Sequence, residues 1–245
     1  VQYKLPLLTA LLDDPVRAVR IDAARVAANI PANEFGKNET AFKASLAEYK
    51  ALQDSLADTA EAHLNLGVLY TDQQQFKLAE DEFKQAIALN PSFLPAHINL
   101  ANLYNRLGRN DEAEAEFRTA IEIVPDNGEI HYSLGLLLAE QNRYDDAVIA
   151  LAKAAKLLPE RIRIAYNYAL SLQHLGQYAA AEAVLKQTHA RAPYNSEIVH
   201  ALVILYGQQK QWDLALEYAQ LLVVLLPNDK EAARLLQQLQ YQIEH

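Results

Sequence analysis

Three histidines are the first residues in this chain whose type and spacing could do chemistry. His63 sits in AEAHLNLGVLY (Ala60 to Tyr70), His97 in PAHINLANLY (Pro95 to Tyr104) and His131 in EIHYSLGLLL (Glu129 to Leu138), each 34 residues after the last. A regular row of imidazoles could hold a metal ion or relay protons. Paired carboxylates at Asp13-Asp14, Asp111-Glu112 and Asp145-Asp146 could do acid-base work if their environments differed. The sequence contains no cysteine, which removes disulfides, thiolate zinc sites, cysteine nucleophiles and covalent haem attachment from its 245 residues. Nor does it carry a glycine-rich phosphate loop, a Gly-x-Ser-x-Gly elbow or a His-Glu-x-x-His pair.

The elements that would position these groups decide against catalysis. Neighbouring helices lie about 8–10 Å apart, so two of the imidazoles could meet, but three cannot share one ion. At the same rank further along stand Ala165 and Val199, which marks a packing position where the ring fills volume and its nitrogens reach a backbone group or water. Asp111-Glu112 and Asp145-Asp146 fall at the expected starts of helices, where negative charge complements the helix dipole and free N–H groups. The expectation is therefore a non-enzyme with no metal and no cofactor.

Composition agrees with a folded helical protein. Apolar residues make up 51% of the chain, and only seven glycines and nine prolines interrupt it. The formal charge of −9 is spread without a basic block, which argues against a nucleic-acid surface. The longest apolar runs, such as LLVVLLP ending at Pro227, fall far short of the roughly 20 residues of a membrane span. The chain opens VQYKLPLLTALL without an initiator Met or signal-peptide pattern, the mark of a processed form or part of something longer.

Periodicity supplies the architecture. Pro91, Pro125, Pro159, Pro193 and Pro227 recur every 34 residues, and each closes a helix. Ala79, Ala113, Ala147, Ala181 and Ala215 keep the same period, as do Leu66, Leu100, Leu134, Tyr168 and Leu202. Within the first unit the apolar spacing predicts one helix over about Ala60 to Asp72 and a second over about Phe76 to Leu89. Gly67, Ala101, Gly135 and Ala169 hold a rank where a small residue lets the paired helices approach, with Val203 in the fifth unit. Gly108, Asn142 and Gly176 suit the interhelix turns; Gln74 and Lys210 specify theirs less well. Trp212 shares a rank with Phe76, Tyr144 and Tyr178 and reads as core aromatic packing.

On these residues the chain resembles the tetratricopeptide repeats, whose pattern appears in the first unit as Leu66, Gly67, Tyr70, Ala79, Phe83, Ala86 and Pro91. Leu138, Leu172 and Ala219 depart from it. The resemblance implies an all-α, right-handed α-solenoid of helix-turn-helix repeats: five units over 60–93, 94–127, 128–161, 162–195 and 196–229, followed by a capping helix over 230–245. It implies too a concave groove that binds a protein or extended peptide. Asn65, Asn99, Ser133, Asn167 and Ala201 would face it, and an asparagine ladder of this kind clamps a peptide backbone in the repeats of the O-linked N-acetylglucosamine transferase. Asn102, Asn105, Arg106, Tyr132, Glu140, Arg163, Tyr166, Gln173 and His174 would complete a polar, aromatic surface. The lysines with which some relatives seize a terminal carboxylate are missing, and Glu61 and Glu129 stand among the groove ranks.

Residues 1–59 lack the period. LLTALLDDPVRAVRIDAARVAAN (Leu7 to Asn29) reads as a helix, an Asp-Asp-Pro turn and a second helix from near Pro15, resembling a HEAT repeat bracketed by Asp14 and Arg20. IPANEFGKNE follows as a linker, then Thr40 to Leu56 as a helix that could cover the first face of the repeats. This domain order resembles the C-terminal region of certain bacterial multihaem cytochromes. That would make the segment a docking or assembly arm in the periplasm, with haem-bearing domains before Val1; otherwise a cytoplasmic scaffold is implied. Self-association into a homo-oligomer is the third reading.

Overall fold

A computed structural model describes residues 5–244. Every element among them is helical: fourteen α-helices and one 3₁₀ segment. Residues 1–4 of the HEAT-like segment and residue 245 of the cap lie outside the described residues. The chain divides into two compact units, 1–124 and 125–245.

In the first unit, α1 (Leu5–Leu11) and α2 (Arg17–Val26) flank the Asp-Asp-Pro turn. Helix α2 starts two residues beyond Pro15 because Asp14 Oδ1 accepts from the Val16 amide at 2.7 Å and holds a turn there. Arg20 closes the joint, its Nη1 donating to the Asp14 carbonyl at 2.8 Å. The expected linker is ordered. It forms a 3₁₀ segment, Ala32–Asn38, because Phe35 is buried and stacks on Phe42 with centroids 4.2 Å apart, while Asn38 Nδ2 donates to Asp13 Oδ2 at 3.1 Å. Helix α3 (Glu39–Asp54) then packs Phe42, Leu46 and Tyr49 into a core that runs on to Leu66 and Leu69 of the first repeat.

The repeats follow as α4 (Ala60–Asp72) with α5 (Phe76–Leu89), and α6 (Leu94–Arg106) with α7 (Asn110–Ile123). The second unit continues with α8 (Gly128–Glu140), α9 (Tyr144–Leu157), α10 (Ile162–His174), α11 (Tyr178–Arg191), α12 (Ser196–Gln208) and α13 (Trp212–Leu225). Small residues let each pair close. A Cβ on Gly67 would stand 2.4 Å from the Phe83 ring, and one on Gly135 2.6 Å from Leu151 Cγ. All five interhelix turns place one residue at positive φ, including Gln74 and Lys210 as well as Asn142, Gly108 and Gly176. Packing of the helices dictates the turn even where the residue does not favour it.

The last helix, α14 (Lys230–Glu244), repeats the first-helix pattern once more. Its buried Ala232 and Leu239 hold the ranks of Ile198 and Leu205 in α12, and Ala232 joins Val199 and Leu222 in one cluster. Its exposed positions are rich in glutamine, at Gln237, Gln238, Gln240 and Gln242.

Candidate functional site

The histidine row resolves into a packing device. His63 Nε2 donates to the Ala57 carbonyl at 3.0 Å, and its Nδ1 lies 2.6 Å from Glu82 Oε2. His97, only 5% exposed, does the same with the Pro91 carbonyl at 3.0 Å and Glu116 Oε2 at 2.6 Å. His131 keeps the carbonyl contact alone, at 2.8 Å to Pro125. Each ring thus ties a first helix to the turn that precedes it, and two of the three tie it to the second helix as well. The partner glutamates were readable from sequence, since Glu82 and Glu116 each follow their histidine by 19 residues. Among the described residues no group of three or more His, Asp or Glu side chains could hold a metal ion.

A buried carboxylate joins the first two repeats. Tyr104 donates its hydroxyl to Glu80 Oε1 at 3.2 Å, while Lys84 and Arg109 approach the same carboxylate at 2.6 and 2.8 Å. Burial pushes the Glu80 carboxyl up, but hydrogen bonds from Lys84 and Arg109 and their charges override it and hold it at about 2. The same ranks recur in the second unit as Glu182 and Tyr206, whose hydroxyl donates to Glu182 Oε1 at 2.9 Å. Both sites are internal fasteners between repeats.

The asparagine ranks do not behave as one ladder. Asn65 Nδ2 donates to Gln53 Oε1 of α3 at 3.1 Å, so the bridging helix engages the first rung. Asn99 turns back onto the Pro95 carbonyl of its own helix at 2.8 Å. Asn167 Nδ2 donates to the Tyr132 hydroxyl at 2.8 Å and links α10 to α8. Ser133, at the same rank, is half-buried.

The other expected groove residues divide between two jobs. Arg106 lies over the Phe76 ring at 4.8 Å, and His174 stacks on Tyr144 with centroids 4.2 Å apart and planes within 3°. Both residues therefore bind an aromatic of the preceding repeat, at the rank shared by Trp212. Within that rank Trp212 is half-buried and packs against the core cluster of the last repeats, whereas Phe76 and Tyr144 meet a side chain of the following repeat and Tyr178 is exposed. Asn102 and Glu140 are exposed, Asn105 and Gln173 half-buried.

In the second unit the first helices present one joined face. Arg163 Nη2 pairs with Glu197 Oε1 at 2.7 Å and lies 6.0 Å from the Tyr166 centroid; Arg161 pairs with Glu129 at 2.9 Å. Four residues beyond Tyr132, Tyr166 and His200, hence on the same side of each helix, stand Leu136, Leu170 and Ile204. Leu170 and Ile204 are 40% and 36% exposed, open for aliphatic residues at helix centres. Sequence reasoning missed this row, although its 34-residue spacing was visible. At its end a cavity of about 670 Å³ is lined by His200 and Ile204 with Lys230, Arg234 and Gln238 of α14.

Three models described as tetratricopeptide repeat match the sequence, at residues 60–93, 98–163 and 172–239. No curated protein sequence matches the chain. Among solved structures, one titled "Crystal structure of YrrB: a TPR protein with an unusual peptide-binding site" superposes with a TM-score of 0.63 at 19% identity, covering 72% of this chain and 91% of that one. Pseudomonas aeruginosa pilF gives 0.60 at 23% identity over 78% and 86%, and MamA 0.64 at 17% over 69% and 92%. These likenesses establish the all-helical repeat-solenoid fold. They lend no support to the HEAT-like reading of the N-terminal pair or to a cytochrome context.

Proposed function

The chain belongs to the tetratricopeptide-repeat family over most of residues 60–239, and on that premise we propose that it is a non-enzymatic scaffold that binds a protein or peptide segment. Binding takes place on the joined face of α8, α10, α12 and α14. The observation that carries this reading is the row Leu136, Leu170 and Ile204, half-buried at Leu136 and open at the other two, beside Tyr132 and Tyr166, with Asn167 pinned to the Tyr132 hydroxyl. Aliphatic side chains of the partner seat on the row, and the tyrosines act as rigid aromatic anchors. Exposed ion pairs at Glu129–Arg161 and Arg163–Glu197 form a polar rim that sets orientation more than affinity. YrrB, described as a repeat protein with a peptide-binding site, supports the same use of the fold. Asn65, Asn99 and Asn167 are all engaged within the chain, so the weight of binding falls on the aliphatic row and the tyrosines rather than on the asparagines.

The test is affinity capture from a lysate on the immobilised chain, followed by titration of the identified partner. Wild type is compared with Leu170→Glu, with Tyr132→Ala/Tyr166→Ala, and with Asn65→Ala/Asn99→Ala/Asn167→Ala. The first two variants lose the partner, and the third weakens it through Asn167. A partner held equally well by wild type and Leu170→Glu would place binding elsewhere.

A further inference from the structure

The carbonyl that receives the histidine in the first three repeats meets a different donor in the fourth. Pro159 holds the rank of Ala57, Pro91 and Pro125, but Ala165 replaces the histidine and Val184 the glutamate. Arg191, from the end of α11, takes over and donates Nη1 to the Pro159 carbonyl at 2.7 Å. With the imidazole and carboxylate gone, a pocket of about 270 Å³ opens where they stood. Ala155, Leu158, Ala165 and Val184 make its apolar wall, with Tyr168 and the buried Thr188 beside them. Lys156, Arg161 and Arg191 line it too, and no carboxylate does.

Such a site inverts the local chemistry of the earlier repeats, which supply their own anion in Glu82 and Glu116. We infer that this pocket binds a carboxylate carried on a short branched apolar body, with the carboxylate on the cations and the body against Ala165 and Val184. Arg191 uses one guanidinium nitrogen on Pro159, which fixes the group and leaves the rest of its planar fork for an oxyanion. Arg161 holds Glu129 through both Nη atoms in an exposed pair, at 2.9 and 3.0 Å, and adds its charge to the pocket lining from there. Lys156 adds a third charge at the exposed rim. The volume suits one side chain or small metabolite. A free carboxylic acid and the C-terminal aliphatic residue of a peptide present the same chemistry. The pocket shares Arg161 with the polar rim of the α8–α14 face, but its apolar wall and Arg191 lie apart from the row Leu136, Leu170 and Ile204.

The full chain is titrated by NMR with isovalerate, with its neutral amide isovaleramide and with inorganic phosphate. The peptide acetyl-Ala-Ala-Leu is added in free-acid and amidated forms. Isovalerate shifts the methyl resonances of Ala165, Val184 and Leu158 saturably, and the amide binds about tenfold more weakly because it forfeits the charge-assisted bonds. Phosphate, lacking the apolar body, binds more weakly than isovalerate. Binding of the free-acid peptide identifies a chain terminus as the source; binding of isovalerate alone identifies a small metabolite. Ala165→His/Val184→Glu recreates the His97–Glu116 arrangement, keeps the helical fold and abolishes the shifts at Leu158 and Thr188, whose methyl groups it retains. Lys156→Gln, at an exposed position, weakens them without touching the fold. Equal binding of acid and amide, phosphate binding as tight as isovalerate, retained binding in the double variant, or no saturable shift up to about 50 mM would each overturn the assignment.

Discussion

Glu80 offers the sharpest energetic test of how the first two repeats are joined. Replacing it by glutamine keeps the shape and removes the charge between Lys84, Arg109 and the Tyr104 hydroxyl. The side chain is nearly enclosed, the residue being 7% exposed, so solvent screens the interaction little. A carboxyl held at about 2 in the folded chain against 4.5 in the unfolded one contributes about 3 kcal/mol. The sign follows from the depressed value: the contribution is complete above about pH 4.5 and disappears as the pH falls toward 2. Urea unfolding should be followed through amide resonances of α5 and α6, because Trp212 lies in the other unit and would not report on this joint. Glu80→Gln should lower local stability by about 2–3 kcal/mol at pH 7, and the gap to wild type should close between pH 4.5 and 2. Glu182→Gln is the internal comparison. Glu182 keeps the tyrosine bond, but the Lys186 that pairs with it at 3.5 Å is exposed, so the loss there should be about 1 kcal/mol. A Glu80→Gln gap that stays constant from pH 7 to pH 3 would refute the electrostatic account.

Other positions make equally direct claims. Gly67→Ala gains helix propensity but drives a methyl into the buried Phe83 ring, for a net loss of about 1–3 kcal/mol in denaturant unfolding. Lys210→Gly relieves a left-handed residue at φ 58° and should raise stability by about 1 kcal/mol, measured as a shift in urea midpoint. His97→Ala strands the Pro91 carbonyl and Glu116 and should cost about 2–4 kcal/mol, whereas His131→Ala, with one bond to lose, should cost less; equal losses would mean the Glu116 contact is idle.

Much of the fold was legible because a period repeated five times averages out local ambiguity. Closing prolines, small residues at the helix crossing and left-handed turn positions all reappear where their physical causes require them. The segment 30–39 reads as a linker because its few buried residues, Ile30, Phe35 and Asn38, keep no helical or strand period and find their partners elsewhere, Phe35 on Phe42 and Asn38 on Asp13. Site chemistry was less legible for a related reason. Rank in a repeat says which way a side chain points, not what it meets. Asn65, Asn99 and Asn167 share a rank and find a glutamine, a proline carbonyl and a tyrosine hydroxyl. Arg106 and His174 share another and are both drawn onto an aromatic of the preceding repeat. The row Leu136, Leu170 and Ile204 was overlooked because aliphatic residues in a helix read as core until their exposure is known.

The fate of a single carbonyl rank shows how such a scaffold acquires different surfaces. The turn before each first helix leaves a carbonyl that needs a donor, and an unsatisfied one costs about 1–3 kcal/mol where it is buried. A histidine at the fourth residue of the helix meets the need and fills the adjoining space, with a glutamate from the second helix behind it. An arginine arriving from the end of the second helix meets the same need from the side, and leaves the space empty and cationic. The backbone is served either way, so the repeat persists while its local chemistry changes from a neutralised pair to an open pocket. Substitutions that look like decay of the pattern at Ala165 and Val184 are, on this argument, what makes the fourth repeat able to receive something the others cannot.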